Sequence, residues 1–172
     1  MLQGLVQLNW REQAGSQLHS LLQTLEEEAL SQLPSAQLLP RRERIDRLLD
    51  VADLPAAWQA LGALQDDSDP LLARAAATLR SGCPLTAHLI WEQLRRAPYL
   101  SLAEVFRMEY TMSLNCCRHP EFAEGVRARL IDKDNRPSWH WPQLEDVPDA
   151  AIAAHFTPTW EGEHPLADLH DH

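Results

Sequence analysis

After Ser16, apolar side chains recur in steps of three and four: Leu18, Leu21, Leu22, Leu25, Ala29 and Leu33. That spacing predicts a helix with one leucine stripe, ending at Pro34, with Glu26 to Glu28 on its solvated face. A short apolar lead-in (Leu2, Leu5, Val6, Leu8) precedes it, and Pro34 to Pro40 reads as a loop. Glu43 to Leu49 then predicts a short helix carrying Ile45, Leu48 and Leu49. Asp53 ahead of Leu54-Pro55 is a helix start, because its carboxylate can accept a free first-turn amide and proline suits the first turn. The helix it opens should bury Leu54, Trp58, Leu61 and Leu64 before a turn at Asp66 to Asp69.

Asp69-Pro70 repeats the start signal for an alanine-rich helix to Arg80. Ser81-Gly82-Cys83-Pro84 joins a stop to a start: glycine tolerates the left-handed stop conformation and proline the first turn that follows. The next helix carries Leu85, Leu89 and Leu94 and ends near Pro98. Ser101-Leu-Ala-Glu104 has the form of a capping box, so a long helix to about Arg118 follows. Pro120 restarts the chain into a helix with Phe122, Val126 and Leu130 on one face. The expected organisation is a single all-α domain over residues 1–172, with a helical body over 16–133, an irregular Pro/Trp-rich segment with a short helix (Asp149 to Phe156) over 134–160, and a tail over 161–172.

Composition agrees with the pattern. Leu and Ala number 29 and 22 while Val, Ile and Thr together reach 15, a balance that favours helix over strand. Only 6 glycines are present, which disfavours folds built on glycine-rich phosphate loops. With 14 Arg, one Lys and 25 carboxylates the net charge is -10, so neither nucleic acid nor an anionic membrane is an expected partner. No run of residues is long and apolar enough to span a bilayer. The densest basic cluster (Arg41, Arg42, Arg44, Arg47) is read as offsetting nearby carboxylates rather than as a phosphate site. Three cysteines, two adjacent, suit a reducing compartment, and with no basic head and apolar block over Met1 to Trp10 the expectation is cytoplasm.

Several residues invite chemistry. Counting sevens from Leu102 places Glu109 on the stripe of Val105, Phe106, Met112 and Cys116, where a buried carboxylate needs a cation; Arg127 is the expected partner in a structural ion pair. Gly125 lies in a predicted helix and implies a close neighbour, another helix or a ligand. Cys116, Cys117 and His119 lack the paired spacings of a zinc site and read as core, and His164, His170 and His172 with Asp168 and Asp171 read as an end of the chain rather than a designed metal site. Trp139-His140-Trp141 is read as anchoring under the last helix in preference to a stacking face for a planar ligand. No Gly-x-Ser-x-Gly, nucleotide-binding glycine loop or His-Glu-x-x-His occurs, so no catalytic residue, metal or cofactor is assigned.

Between Leu100 and Trp139 the sequence becomes specific: Ser101-Leu-Ala-Glu-Val-Phe-Arg-Met-Glu-Tyr110, Glu121-Phe-Ala-Glu-Gly-Val-Arg-Ala-Arg-Leu-Ile-Asp-Lys-Asp134 and Pro137-Ser-Trp139. This resembles the C-terminal region of the 3-hydroxyisobutyryl-CoA hydrolase family of the crotonase, or enoyl-CoA hydratase/isomerase, superfamily. The helix from Cys83-Pro84 to Leu94 resembles the family's Ser-Pro-x-Ser-Leu helix with Cys in place of Ser.

The resemblance implies a fragment. Family members begin with an α/β spiral core that carries the oxyanion-hole amides and a Pro-Glu-Thr-x-Ile-Gly-Leu-Phe-Pro-Asp type motif, neither matched here, and thioester hydrolysis without an oxyanion hole loses a major source of transition-state stabilisation. The expectation is a chain inert on its own, covering the acyl-CoA site of an absent core and joining subunit contacts. The parent would hydrolyse a short branched 3-hydroxyacyl-CoA in valine catabolism. Arg127, Arg129 and Lys133 are the candidates to meet CoA phosphates, with coenzyme A present only as part of the parent's substrate. A domain without its core exposes apolar surface, so self-association is expected. The alternative is a free-standing helical module that binds a partner protein through an exposed Leu/Trp groove.

Overall fold

The computed structural model describes residues 2–11 and 13–171. Among them every regular element is helical and no strand occurs, as the Leu/Ala-rich pattern requires. Where the sequence suggested one domain over 1–172, the chain divides into two compact units between Ile45 and Asp46, within the helix Arg42–Leu49.

The first unit holds α1 (Leu2–Val6) and α2 (Ala14–Ala29), followed by 3-10 turns at Leu30–Gln32 and Leu39–Arg41. Gly4 lets α1 approach α2 closely: a Cβ built there would lie 2.9 Å from Leu21 Cδ1. Ser16 lies inside the first turn of α2. The helix starts earlier, after Gln13 in a left-handed conformation (φ 50°), and the Ser16 hydroxyl donates back to the Gln13 carbonyl at 3.0 Å. The leucine stripe is half-buried at Leu18, Leu21 and Leu25.

The second unit contains the second half of α3 (Arg42–Leu49), then α4 (Leu54–Gly62), α5 (Pro70–Ser81), α6 (Pro84–Arg96), α7 (Leu102–Arg118), α8 (Pro120–Val126) and α9 (Asp149–His155). Its starts follow the sequence signals. Asp53 Oδ1 accepts the Ala56 amide at 2.9 Å, and Asp69 Oδ1 accepts the Leu71 amide at 3.0 Å. The Ser101–Glu104 capping box closes in both directions, with the Glu104 amide 3.3 Å from Ser101 Oγ and the Ser101 amide 2.8 Å from Glu104 Oε2. Gly82 departs from expectation. Its φ is -74°, so no left-handed stop forms; glycine instead leaves room beside the Thr78 and Leu79 carbonyls, each 3.2 Å from where a Cβ would sit.

Leu85 and Leu89 of α6 pack with Val147 at the centre of this unit, and Met112, Cys116, Trp141, Ile152 and Phe156 close around them. Trp141 thus anchors the irregular segment against the leucines of α6. His88 Nε2 donates to the Leu144 carbonyl at 3.0 Å, tying α6 to the 3-10 turn Leu144–Asp146. Asn115 of α7 donates to the Ala154, His155 and Thr157 carbonyls at 3.1, 3.2 and 2.9 Å, satisfying the free C-terminal end of α9.

Residues 161–171, expected as a tail, run along α7. Arg107 gathers the Leu166, Ala167 and Leu169 carbonyls, and Asp171 Oδ1 accepts the Ala103 amide at 2.9 Å. His164 donates from Nε2 to the Arg107 carbonyl at 3.2 Å and packs edge-on against Tyr110 and Trp160.

Candidate functional site

The buried stripe of α7 is carried by small side chains, Ala103 and Thr111, not by the larger apolar ones. Small residues let neighbouring segments approach, and Leu102 and Phe106 are rotated outward, 68% and 47% exposed. Glu109 goes outward with them: it is exposed, and Gln93 Nε2 lies 3.5 Å from its Oε1. The expected pairing of Glu109 with Arg127 does not form.

Arg127 is held by other carboxylates. Nε and Nη2 make a two-pronged contact with Glu124 at 2.9 and 2.8 Å, and Nη1 reaches Asp132 at 2.7 Å and Asp134 at 2.8 Å. Nη2 also donates to the Arg136 carbonyl at 3.0 Å. These bonds lower the Glu124 carboxyl to about 2 and the Asp134 carboxyl below its ordinary value, and raise the Arg127 guanidinium, each mainly through hydrogen bonding across the cluster. The network clamps the turn after the π-helical residues Arg127–Ile131, where Lys133 and Asn135 both adopt positive φ. Of the three expected phosphate-binding cations, Arg127 is therefore spent on its own chain, whereas Arg129 and Lys133 are exposed.

The buried carboxylate of this unit is Glu121, which sequence reasoning missed. It is 6% exposed in the first turn of α8 and accepts the His140 amide at 3.1 and 3.2 Å and the Trp141 amide at 3.4 Å. Ahead of it, His119 caps α8 by accepting the Glu121 amide on Nδ1 at 3.4 Å, and its ring stacks on Trp141 with centroids 5.3 Å apart.

These residues line a cavity of about 420 Å³ bounded by the start of α6, the end of α7, α8 and the end of α9. Leu85, Leu89, Phe122, Val126 and Trp139 form its apolar wall; Cys83, Cys116, His119 and His155 supply polar atoms. Burial pushes both thiols above their ordinary values and pushes the His119 imidazolium below its own, the latter helped by neighbouring His155. At neutral pH the site thus presents protonated thiols and an uncharged His119. Gly125 lies in the same wall, and its close neighbour is the Trp139 ring, 3.5 Å from where a Cβ would sit, rather than another helix. Among the described residues no group of three or more His, Cys, Asp or Glu is placed to hold a metal ion, and no helix is long and apolar enough to cross a membrane.

A second groove of about 540 Å³ runs between α5 and α6, lined by Trp58, Leu71, Leu79 and Ile90.

The sequence matches the family model described as enoyl-CoA hydratase/isomerase over residues 1–156. It is 34% identical over 116 residues to the mitochondrial 3-hydroxyisobutyryl-CoA hydrolase of Gallus gallus, covering 67% of this chain and 30% of that protein. Against the protein of the same name from Danio rerio the identity is 33% over 120 residues, 70% of this chain and 31% of the relative. The fold is similar to that of an enoyl-CoA hydratase from Rhodobacter sphaeroides 2.4.1, with TM-score 0.62, 28% identity, and coverage of 84% of this chain and 43% of the other. The chain spans about 30% of the length of the curated relatives it matches. Their names also correct the expected cytoplasmic location. They are mitochondrial proteins, and free cysteines distinguish reducing from oxidising surroundings, not one reducing compartment from another.

Proposed function

Because the chain belongs to the enoyl-CoA hydratase/isomerase family and is 3-hydroxyisobutyryl-CoA hydrolase-like, we propose that it is a helical cover for an acyl-CoA site whose carbonyl-polarising groups lie in a separate α/β core. The observation that carries this reading is the outward row on α7. Leu102, Phe106 and Tyr110 stand one turn apart on one exposed face, an arrangement that water disfavours and that an apolar partner surface would cover. Further exposed apolar side chains follow α8 at Leu130 and Ile131.

In this reading the substrate is a short branched 3-hydroxyacyl thioester of coenzyme A, of the kind formed in valine breakdown, and the same helical surface contributes to subunit contacts. Water attacks the thioester carbonyl, and the CoA thiolate leaves and takes up a proton. The chain's own part is to exclude bulk water from the thioester and to set Arg129 and Lys133 against the CoA phosphates. Both are exposed cations on or just after the segment with the strongest family resemblance.

The test is thiol release from 3-hydroxyisobutyryl-CoA. The purified chain alone should release none, and adding the N-terminal remainder of the Gallus gallus relative should yield activity above that of the remainder alone. Turnover by the chain unaided, or a remainder indifferent to it, overturns the proposal. Replacing Arg129 or Lys133 with Ala should raise KM for the CoA thioester and leave KM for the matching pantetheine thioester unchanged.

A second reading, a free-standing module that binds a partner protein, is favoured by the Trp58 groove, whose apolar lining suits the apolar face of an amphipathic helix.

A further inference from the structure

His155 is 3% exposed, and its Nδ1 lies 2.7 Å from the Ala151 carbonyl. A carbonyl only accepts, so Nδ1 carries the proton and Nε2 of the neutral ring is a bare acceptor. His155 is one of the residues lining the cavity, and its Nε2 is buried with no hydrogen-bond partner. A buried acceptor left unpaired is costly, and native structures seldom tolerate one without a water or ligand to satisfy it.

The facing ring has the opposite polarity. His119 accepts the Glu121 amide on Nδ1, which leaves its proton on Nε2 as a donor, and the two imidazole centroids are 5.2 Å apart. A ring that accepts beside a ring that donates suits a group able to do both, of which a hydroxyl is the smallest: it can donate to His155 and accept from His119. A carboxylate offers His155 nothing and meets the nearby Glu121 charge; an ammonium cannot accept from His119. The remaining wall is mainly apolar, with Trp139 in it, alongside the Cys83 and Cys116 thiols, Thr86, Glu121 and Arg129. At about 420 Å³ the space falls within the range of roughly 300–1,000 Å³ usual for small-molecule sites.

We propose that this cavity binds a small, uncharged, mainly apolar alcohol or phenol, with its hydroxyl bridging His155 Nε2 and His119 Nε2. The site uses no residue assigned above to CoA phosphates except at its rim, where Arg129 stands.

The test titrates the full chain with 4-methylphenol and with 4-methylanisole, which keeps the ring and cannot donate. By calorimetry the phenol should bind about tenfold tighter, the difference expected when a buried acceptor is satisfied in one case and not the other. At saturation the ¹⁵N resonance of His155 Nε2 should shift with the phenol and not with the anisole. In His155→Phe the preference should fall to about twofold or less, since the ring fills the same space without the lone pair. Val126→Trp should abolish binding of both probes by filling the cavity. Equal affinities, no binding of either probe, a preference that survives His155→Phe, or binding that survives Val126→Trp would each overturn the proposal. If His155→Phe fails to fold, the ¹⁵N measurement on the native chain decides, and an unmoved Nε2 resonance overturns it.

Discussion

The Glu121 carboxylate accepts the backbone amide of His140, nineteen residues further along the chain, at 3.1 Å through one oxygen and 3.2 Å through the other. The Trp141 amide adds a third contact at 3.4 Å, so the first turn of α8 fixes the backbone on which Trp139 and Trp141 are mounted. Hydrogen bonds to a charged group each contribute about 1.5–3 kcal/mol, and the truncated site would leave two half-buried amides without these partners. Glu121→Ala should therefore lower unfolding stability by about 2–4 kcal/mol. It should also move tryptophan emission to longer wavelength as Trp141 loosens. Glu121→Gln, whose amide oxygen still accepts, should cost about half as much. Urea denaturation checks both, and a Glu121→Ala variant within 0.5 kcal/mol of the native chain, about the spread of innocuous surface changes, would refute the role given to this carboxylate.

The Arg127 cluster makes stability depend on acid. Glu124 titrates at about 2 in the folded chain against an ordinary 4.5, and Asp134 is shifted in the same direction. A depressed carboxyl contributes its full stabilisation above the unfolded value and loses it as pH falls through the folded one. The contribution should thus be constant above pH 4.5 and decline between about 4.5 and about 2. In Arg127→Ala the Glu124 midpoint, followed by carboxyl carbon NMR, should return towards 4.5, and the Asp134 midpoint should rise with it. A Glu124 midpoint that stays near 2 would show that the Ser138 amide, 2.6 Å from Oε1, and not Arg127, holds the charge.

The helix starts were legible because a cap is local. Asp53, Asp69 and Ser101 each bond to an amide two or three residues on, and a residue type at a fixed offset announces it. Glu121 was not legible because its partners are main-chain amides of a segment nineteen and twenty residues away, and every residue but proline has such an amide. Its only local signal is a carboxylate just after Pro120 in a first turn. Glu109 was misplaced for a different reason: heptad counting ran through Leu102 and Phe106, whereas α7 buries Ala103 and Thr111 and packs Met112 and Cys116 beside the core, leaving Leu102, Phe106 and Glu109 exposed. Arg127 pairs with Glu124, one turn before it, and with Asp132 and Asp134 in the turn after it, rather than with Glu109 on α7.

Gly125 was expected to mark a close approach. The structure puts the Trp139 ring there, at a distance of ordinary contact for an added methyl group, 3.5 Å. The backbone is helical on both sides, so alanine gains helix propensity of about 1 kcal/mol without meeting a clash. Gly125→Ala should be neutral to stabilising by up to about 1 kcal/mol in thermal or urea unfolding. Marked destabilisation would mean that Trp139 cannot yield even a few tenths of an ångström. The cavity wall would then be rigid at that point.

Leu102, Phe106 and Tyr110 recur every four residues on the outer face of α7, and Glu109 is the charge set among them. Burying such a row against a partner returns roughly 25 cal/mol per Å² of apolar area, enough for weak association when a few side chains are covered, since part of that gain offsets lost freedom of motion. The purified chain should therefore self-associate in sedimentation velocity runs, with a weight-average mass that rises with concentration. Leu102→Ser with Phe106→Ser should shift the profile towards 19.5 kDa without lowering the melting temperature, because both side chains are already exposed in the folded chain. Adding salt should not disperse the native oligomer, since screening weakens ion pairs and leaves apolar contacts intact. A native chain that sediments as a monomer at every concentration would show that the exposed row is too small to drive association. The case for a covering partner would then rest on the family match and not on this surface.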